Sequence, residues 1–427
     1  AAGIRTRRAA ADPGGRVSTG TQRSGTTGHG SVAAADRPPG PAPPASRGYL
    51  PEIDVFRLVT FACVIAVHVC SAATRPDNVA SDGVQLLLHF TREAFFALTG
   101  FVLTFQTLRS PRPAPVFWRR RIPLVLAPYT VWTVVYALLA TATMPPDPDA
   151  PTGPAGPLLK ISVDLVLGTG WYHLYFLLVT LQFYLVFPPL LALLRRLGPR
   201  GHAVLVAAAL AVQLGMCALI DDPPATPVGA AAATHGYATL PGYLLYPVLG
   251  AVAAMHLDRF RTLAHRYRVA IGATAIVVVA ATELLYAHEV GAGVAPAAAS
   301  AVFRPAVQPY YLVIVLALYA LCLRVSAGLP DGGPARRVLA YCSDRSFAIF
   351  LAHPLVLAAL LPPSGPLIER VGPVAGLLGL YLATVAGTVA IAEVLRRLPG
   401  STGLTGRPPL RAGVPGRRDV RADGTAG

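Results

Sequence analysis

Ten long apolar runs, separated by short polar connections, dominate this chain. They lie near 55–73, 84–108, 124–143, 171–194, 203–220, 237–256, 269–288, 306–325, 347–361 and 374–395. About 20 apolar residues cross the hydrocarbon core as a helix. Lipid offers no hydrogen-bond partners, so a helix that closes its own backbone bonds is the natural spanning element. The pattern predicts an all-α membrane protein of about ten transmembrane helices. The ninth run is short and contains Pro354, so its limits are soft. The stretch near Leu158 to Leu167 is too short to span and is expected to lie on the outer surface.

Composition agrees. Of 427 residues only 13% are charged and 54% are hydrophobic, where a soluble domain carries about 25% charge. The net charge of +15 does not point to nucleic acid, because the arginines sit between apolar runs and near both ends. One set of connections holds Arg109, Arg112, Arg119, Arg120 and Arg121, then Arg195, Arg196 and Arg200, then Arg259 to Arg268, then Arg336 and Arg337, then Arg396 and Arg397. The alternate, near-neutral or acidic set holds Arg75, Asp77 and Asp82, then Asp147, Asp149 and Lys160, then Asp221 and Asp222, then Glu289 with Arg304, and Glu369 with Arg370. The positive-inside rule places the arginine-rich set, and both termini, in the cytoplasm. A missed or invented span would break the alternation. The expected location is the plasma membrane, with the lipid bilayer itself as a partner.

Residues 1–47 and 398–427 are rich in Gly, Pro, Ser, Thr and Arg, without a sustained apolar run. Both are expected to be disordered cytoplasmic tails, flanking a membrane domain at 48–397. The five cysteines show no metal-ligand spacing and mostly lie in apolar runs. They read as small packed hydrophobes, so no metal and no bound cofactor is expected.

Ionisable side chains inside spans are costly and mark candidate sites. Asp54, Arg57 and His68 lie on the first run, Glu93 on the second, His173 on the fourth, Glu283 on the seventh and His353 on the ninth. Arg57 and His68 are eleven residues apart. At about 100° per residue they share one helix face, separated by ~16 Å along the axis. A single polar pathway is expected to connect them. Each residue also has a plain structural reading: Arg57 as an anchor at the interface, His68 as a hydrogen-bonded buried residue, and Glu93 as a partner for Arg92. By the same reasoning His173 and Tyr172 belong to an outer aromatic belt. Pro354 frees a backbone carbonyl that His353 can satisfy. Arg119, Arg120 and Arg121 serve topology, or attract a phosphorylated donor. No P-loop, nucleophile elbow or HExxH helix is present.

Taken in order, five stretches resemble acyltransferase family 3, the integral membrane O-acyltransferases. The first is Tyr49-Leu50 with Asp54-Val55-Phe56-Arg57 and His68. The second runs from Glu93 through Phe95-Phe96 to Thr99-Gly100-Phe101. Arg121 with Pro128-Tyr129-Thr130-Val131-Trp132 is the third. Trp171-Tyr172-His173-Leu174-Tyr175-Phe176-Leu177, with Phe183-Tyr184 and Pro188, is the fourth. The fifth is Ser346-Phe347-Ala348-Ile349-Phe350-Leu351-Ala352-His353. The chain departs in having Thr99 where Ser is common, and Leu124 where a second basic residue is common.

The resemblance implies roles in activity for Arg57 and His68. It implies an acyl-CoA donor entering from the cytoplasm. It also implies as acceptor a hydroxyl on a sugar of a glycan, a glycolipid or a glycosylated small molecule. On this reading His68 is the general base, oriented by Glu93. Arg57, Arg119, Arg120 and Arg121 hold the donor phosphates, and His173 and Tyr172 meet the acceptor. Asp54 and His353 are either structural or part of the site. The rival readings are a transporter of a lipid-linked sugar and a non-catalytic partner of a polysaccharide synthase.

Overall fold

The computed structural model describes residues 49–145 and 151–410. The chain divides into two units, Ala1–Tyr49 and Leu50–Gly427. The expected N-terminal tail at 1–47 lies outside the described residues. Every regular element among the described residues is helical. In chain order these are α1 (Pro51–Ala73), α2 (Val79–Leu88), α3 (Phe90–Arg109), α4 (Ala114–Thr143), α5 (Gly156–Leu167), α6 (Tyr175–Arg196), α7 (Pro199–Asp221), α8 (Pro227–His235), α9 (Leu245–Met255), α10 (Leu257–Arg266), α11 (Arg268–Gly291), α12 (Pro296–Ala299), α13 (Gln308–Ala327), α14 (Pro334–Val371), α15 (Pro373–Leu395) and α16 (Ser401–Thr405).

Nine helical segments among the described residues are long and apolar enough to cross a membrane, and α9 is a shorter apolar helix. The sixth expected span is therefore a broken one. Two 3-10 turns, Gly236–Ala238 and Leu240–Tyr243, precede the 11-residue α9. It still runs the length of the bundle. Gly236 packs against Ile220 and Met216 near one end of α7. His256 meets His202 near the other end, with 2.9 Å between ring nitrogens. The eighteen residues between His202 and Ile220 span ~27 Å. Counting this broken segment with the nine long ones gives ten segments of bundle length among the described residues. Accordingly, Asp54 at the start of α1 receives a hydrogen bond from Ser343, and the neighbouring Asp344 pairs with Arg396 just beyond α15. The two ends of the bundle thus share one face.

A break inside a bilayer exposes backbone groups that must find partners. Buried glutamines supply them. Gln182 donates to Ala238 O (2.8 Å) and accepts from Leu240 N (2.9 Å). Gln213 accepts from Leu245 N (3.0 Å) and donates to Gln308 (3.0 Å), which in turn donates to Val302 O. Prolines are handled the same way, because each leaves the carbonyl four residues earlier without its helical partner. For Pro188 this is Tyr184 O, which accepts from Trp118 Nε1 at 2.9 Å. For Pro354 it is Phe350 O, which accepts from His353 Nδ1 at 2.8 Å.

The second span is also broken, into α2 and α3, at His89. Its Nδ1 lies 2.5 Å from Gln85 O. The α3 helix then crosses α9 in backbone contact: a Cβ on Gly100 would stand 2.0 Å from Pro247 O, and one on Gly250 1.9 Å from Ala97 O. Small residues allow membrane helices this approach, which explains the glycine of the Thr99-Gly100 pair.

Three expectations are corrected. The short ninth run belongs to a 38-residue helix that continues through Pro354, Pro362, Pro363 and Pro366. The helix near 158–167 forms as α5, but its last turn tucks into the bundle rather than lying on the outer surface. Tyr129, halfway along α4, donates to Leu165 O at 2.8 Å. Finally, the expected C-terminal tail begins as a folded strap. Ser401 and Thr405 are buried, and Trp132 Nε1 donates to Leu404 O at 2.9 Å. The aromatic and hydroxyl side chains of α4 and α16 give this polar segment packing that an apolar-run criterion misses. The remainder, 411–427, lies outside the described residues.

Candidate active site

A cavity of ≈ 640 Å³ opens among α1, the α2–α3 break, the 168–174 connection and α14. Ser71, Ala72 and Tyr172 are exposed at its rim, while His173 and Phe350 are buried in its depth. The break at His89 contributes Gln85, His89, Thr91 and Arg92 to its lining. Irregular backbone thus occurs where it borders a cavity, as a membrane requires.

His68 reaches the cavity from the outer third of α1. His173 comes from the connection before α6, which dips into the bundle against α4. A Cβ on Gly170 would lie 2.8 Å from Thr133. The Tyr136 ring faces Trp171 at 5.0 Å and His173 at 5.2 Å. His173 is only 3% exposed, so it does not belong to an outer aromatic belt. Its Leu174 and Trp171 neighbours close the turn through a 2.9 Å backbone bond.

Three imidazoles converge. The His68 ring stacks on His353 with centroids 5.1 Å apart, and His173 meets His353 edge-on at 5.5 Å. Tyr172 flanks His68 at 4.6 Å. The bond to Phe350 O assigns the proton of His353 to Nδ1 and leaves Nε2 as an acceptor. That Nε2, and both ring nitrogens of His173, are buried without a hydrogen-bond partner in the protein. The cluster therefore offers unoccupied proton acceptors beside a roomy cavity, which is what activation of a hydroxyl needs. Among the described residues, no group of three His, Cys, Asp or Glu is arranged to hold a metal.

The structure does not place Glu93 with His68. Its carboxylate meets Arg92 at 3.3 Å, and its surroundings are Tyr243, Tyr246 and Tyr311. The Arg92 guanidinium also lies over the Phe303 ring at 5.1 Å. The pair is a buried unit linking α3 to the α9 and α13 side. The rings against His68 are instead Tyr172 and His353, and His89 lines the same cavity. Glu283 lies elsewhere, beside Gly83 and Tyr286.

At the arginine-rich face, Arg57 donates to Ser343 Oγ at 2.5 Å and lies 3.6 Å from Asp54. Ser343 in turn donates to Asp54 at 2.6 Å. Asp54 thus has a structural task, anchoring α1 to α14 and orienting Arg57. Arg121 engages a different helix, donating to Gln106 at 2.5 Å, and Arg119 and Arg120 are exposed beside it.

Arg57 and His68 do share a side of α1, but no open polar path joins them. Phe61 lies between, packed on Phe95 at 4.5 Å and on Phe350 at 6.3 Å. Phe176 completes this aromatic floor, 5.7 Å from Phe95 and 5.4 Å from Phe350. The pattern of ionisable residues could not reveal a floor made of apolar side chains. It also passed over His89, since a histidine inside one continuous span gives no sign that the span breaks there.

The family model for the acyltransferase domain of acyltransferase family 3 matches residues 50–393. No curated protein and no solved structure matches the chain. The matched region holds the imidazole cluster, the cavity and Arg57, on a multi-pass helical body. The chain belongs to acyltransferase family 3 and is a membrane acyltransferase.

Proposed function

We propose that the protein is an O-acyltransferase of the plasma membrane. The donor is an acyl-CoA taken from the cytoplasm at the arginine-rich face. The acceptor is a hydroxyl on a sugar of a surface glycan, a glycolipid or a secreted natural product. The observation that carries this reading is the cluster of His68, His173 and His353 at a cavity of ≈ 640 Å³, in which His173 and His353 have unpartnered ring nitrogens. A cavity of this size accepts a sugar-sized group, and its aromatic walls suit a sugar ring.

In the reaction the acceptor oxygen bonds the acyl carbon while the thioester C–S bond breaks. The hydroxyl proton passes to His68 and then to the leaving coenzyme A thiolate. His173 and Tyr172 hold the acceptor and the developing oxyanion. His353, with its tautomer set by Phe350 O, supports the His68 ring by stacking. The phosphates of the donor stay with Arg57, and Arg121 with Arg119 and Arg120 draws the anionic donor to this face. The thioester reaches His68 by displacing the Phe61–Phe350 floor.

Ester analysis of surface glycans and secreted metabolites, with and without the protein, tests the reading. Loss of an ester on an otherwise unchanged, still exported product is expected. A His68→Ala variant that inserts normally should lose transfer by 10²-fold or more. Full transfer by that variant, or lost export with esters intact, would overturn the assignment.

A further inference from the structure

The strap that follows α15 lies beyond the family match, yet it is tied into the donor mouth. Gly406 has φ +65°, and a Cβ there would stand 2.6 Å from Leu124 O, the carbonyl freed by Pro128. Arg396 donates to Pro408 O at 2.5 Å, and Leu410 N donates to Arg396 O at 2.7 Å. These bonds turn the chain back on itself and present Arg407. Its Nη1 sits 2.7 Å from Asp344, the residue after Ser343, which holds Arg57.

The charges there do not balance. Asp344 alone serves Arg407, Arg396 (3.1 Å) and Arg345 (3.2 Å). Glu393 serves Arg345 (2.6 Å) and Arg397 (2.7 Å), and Asp54 serves Arg57. Five guanidiniums therefore face three carboxylates. Arg407 is about half exposed, with 48% of its side chain open. Arg397 is also open, with 63% of its side chain exposed, but of the two only Arg407 sits on Asp344 beside the Ser343 that holds Arg57. A fixed, under-neutralised guanidinium cluster with accessible members is built for a polyanion.

Resting on the acyl-CoA reading above, we propose that Arg407 on the strap is a donor-binding residue, which shares the donor's phosphates with Arg57 across the Ser343-Asp344 pair. The strap is then one wall of the donor site.

The test uses the full chain in lipid nanodiscs, with acetyl-CoA as donor and coenzyme A as competitor. Arg407→Ala should raise the donor KM about tenfold, equivalent to ~1.4 kcal/mol, and weaken coenzyme A competition equally. The kcat should stay within about twofold, and Arg407→Lys should restore part of the loss. Arg337→Ala removes an exposed charge from the same face but outside this cluster and should leave KM unchanged. Trp132→Phe, which loosens the strap without altering charge, should raise donor KM by a smaller factor. An unchanged donor KM in Arg407→Ala, with normal wild-type turnover, makes Arg407 a mere clamp and overturns the proposal. A wild type that neither turns over acetyl-CoA nor binds coenzyme A overturns the parent reading as well.

Discussion

Consider Gly100→Ala, a single methyl group added where α3 crosses α9. The new Cβ would stand 2.0 Å from Pro247 O, some 1.4 Å short of the 3.4 Å at which ordinary contact begins. The obstacle is backbone, so no rotamer change relieves it. The helices must part by about that distance or tilt. Overpacking of this kind typically costs about 1–3 kcal/mol, occasionally more. The same α3 carries Arg92 and Phe95 into the cavity. A displacement near 1 Å at a reacting centre can cost ~10²-fold in rate, so transfer should fall along with stability. Thermal unfolding in detergent and ester formation in nanodiscs read the two effects. The controls are Gly215→Ala and Gly272→Ala, on α7 and α11, where an added Cβ meets nothing within 4 Å. Alanine is the better helix former by up to ~1 kcal/mol, so these should be neutral or slightly stabilising. If Gly100→Ala unfolds no earlier than Gly215→Ala and transfers normally, the close crossing does not set the cavity.

Other substitutions probe separate parts of the structure. His353→Asn can still donate to Phe350 O but lacks the second ring nitrogen, so unfolding should stay near wild type while transfer drops ~10-fold or more; equal activity would remove His353 from the site. Gln213→Leu strands the Leu245 N–H and the Gln308 amide in the core, which should cost about 1–3 kcal/mol; an unchanged unfolding midpoint would refute the account of the broken sixth span. Phe350→Ala opens the floor between Arg57 and His68. Hydrolysis of acetyl-CoA without acceptor should then rise, and a variant that leaks no more than wild type would show that Phe350 is not the barrier.

The body was legible in the sequence because bilayer physics acts on averages. A run of about twenty apolar residues suffices for a crossing. Even the freed carbonyl at Phe350 follows from Pro354 alone. What escaped depends on particular partners. The breaks at His89 and before Leu245 leave hydropathy almost untouched, because the side chains of His89, Gln182 and Gln213 satisfy the exposed backbone. Glu93 was assigned to His68 from its place on the neighbouring span. Yet a helix has two sides, and Arg92, one residue away, held the carboxylate on the other. His173 seemed peripheral because its run was counted from Trp171, whereas the connection dips to Tyr136 and buries it.

These misses share one cause, and it bears on how the site works. A charge inside a membrane must be neutralised locally or remain free for a ligand. Glu93 and Arg92 neutralise each other, and so do Glu289 and Arg304, and Glu52 and Arg261. These pairs are expended in the fold, and Glu52 with Arg261 ties α1 to α10. The imidazoles differ: a neutral histidine costs little to bury, so three can gather unpaired beside a cavity without a counterion. On the proposed reading, chemistry in this bundle falls to histidine. The arginine surplus collects instead at the face of Arg57 and Arg407, where water can share its cost. The aromatic floor of Phe61, Phe95, Phe176 and Phe350 lies between that charge and the imidazoles.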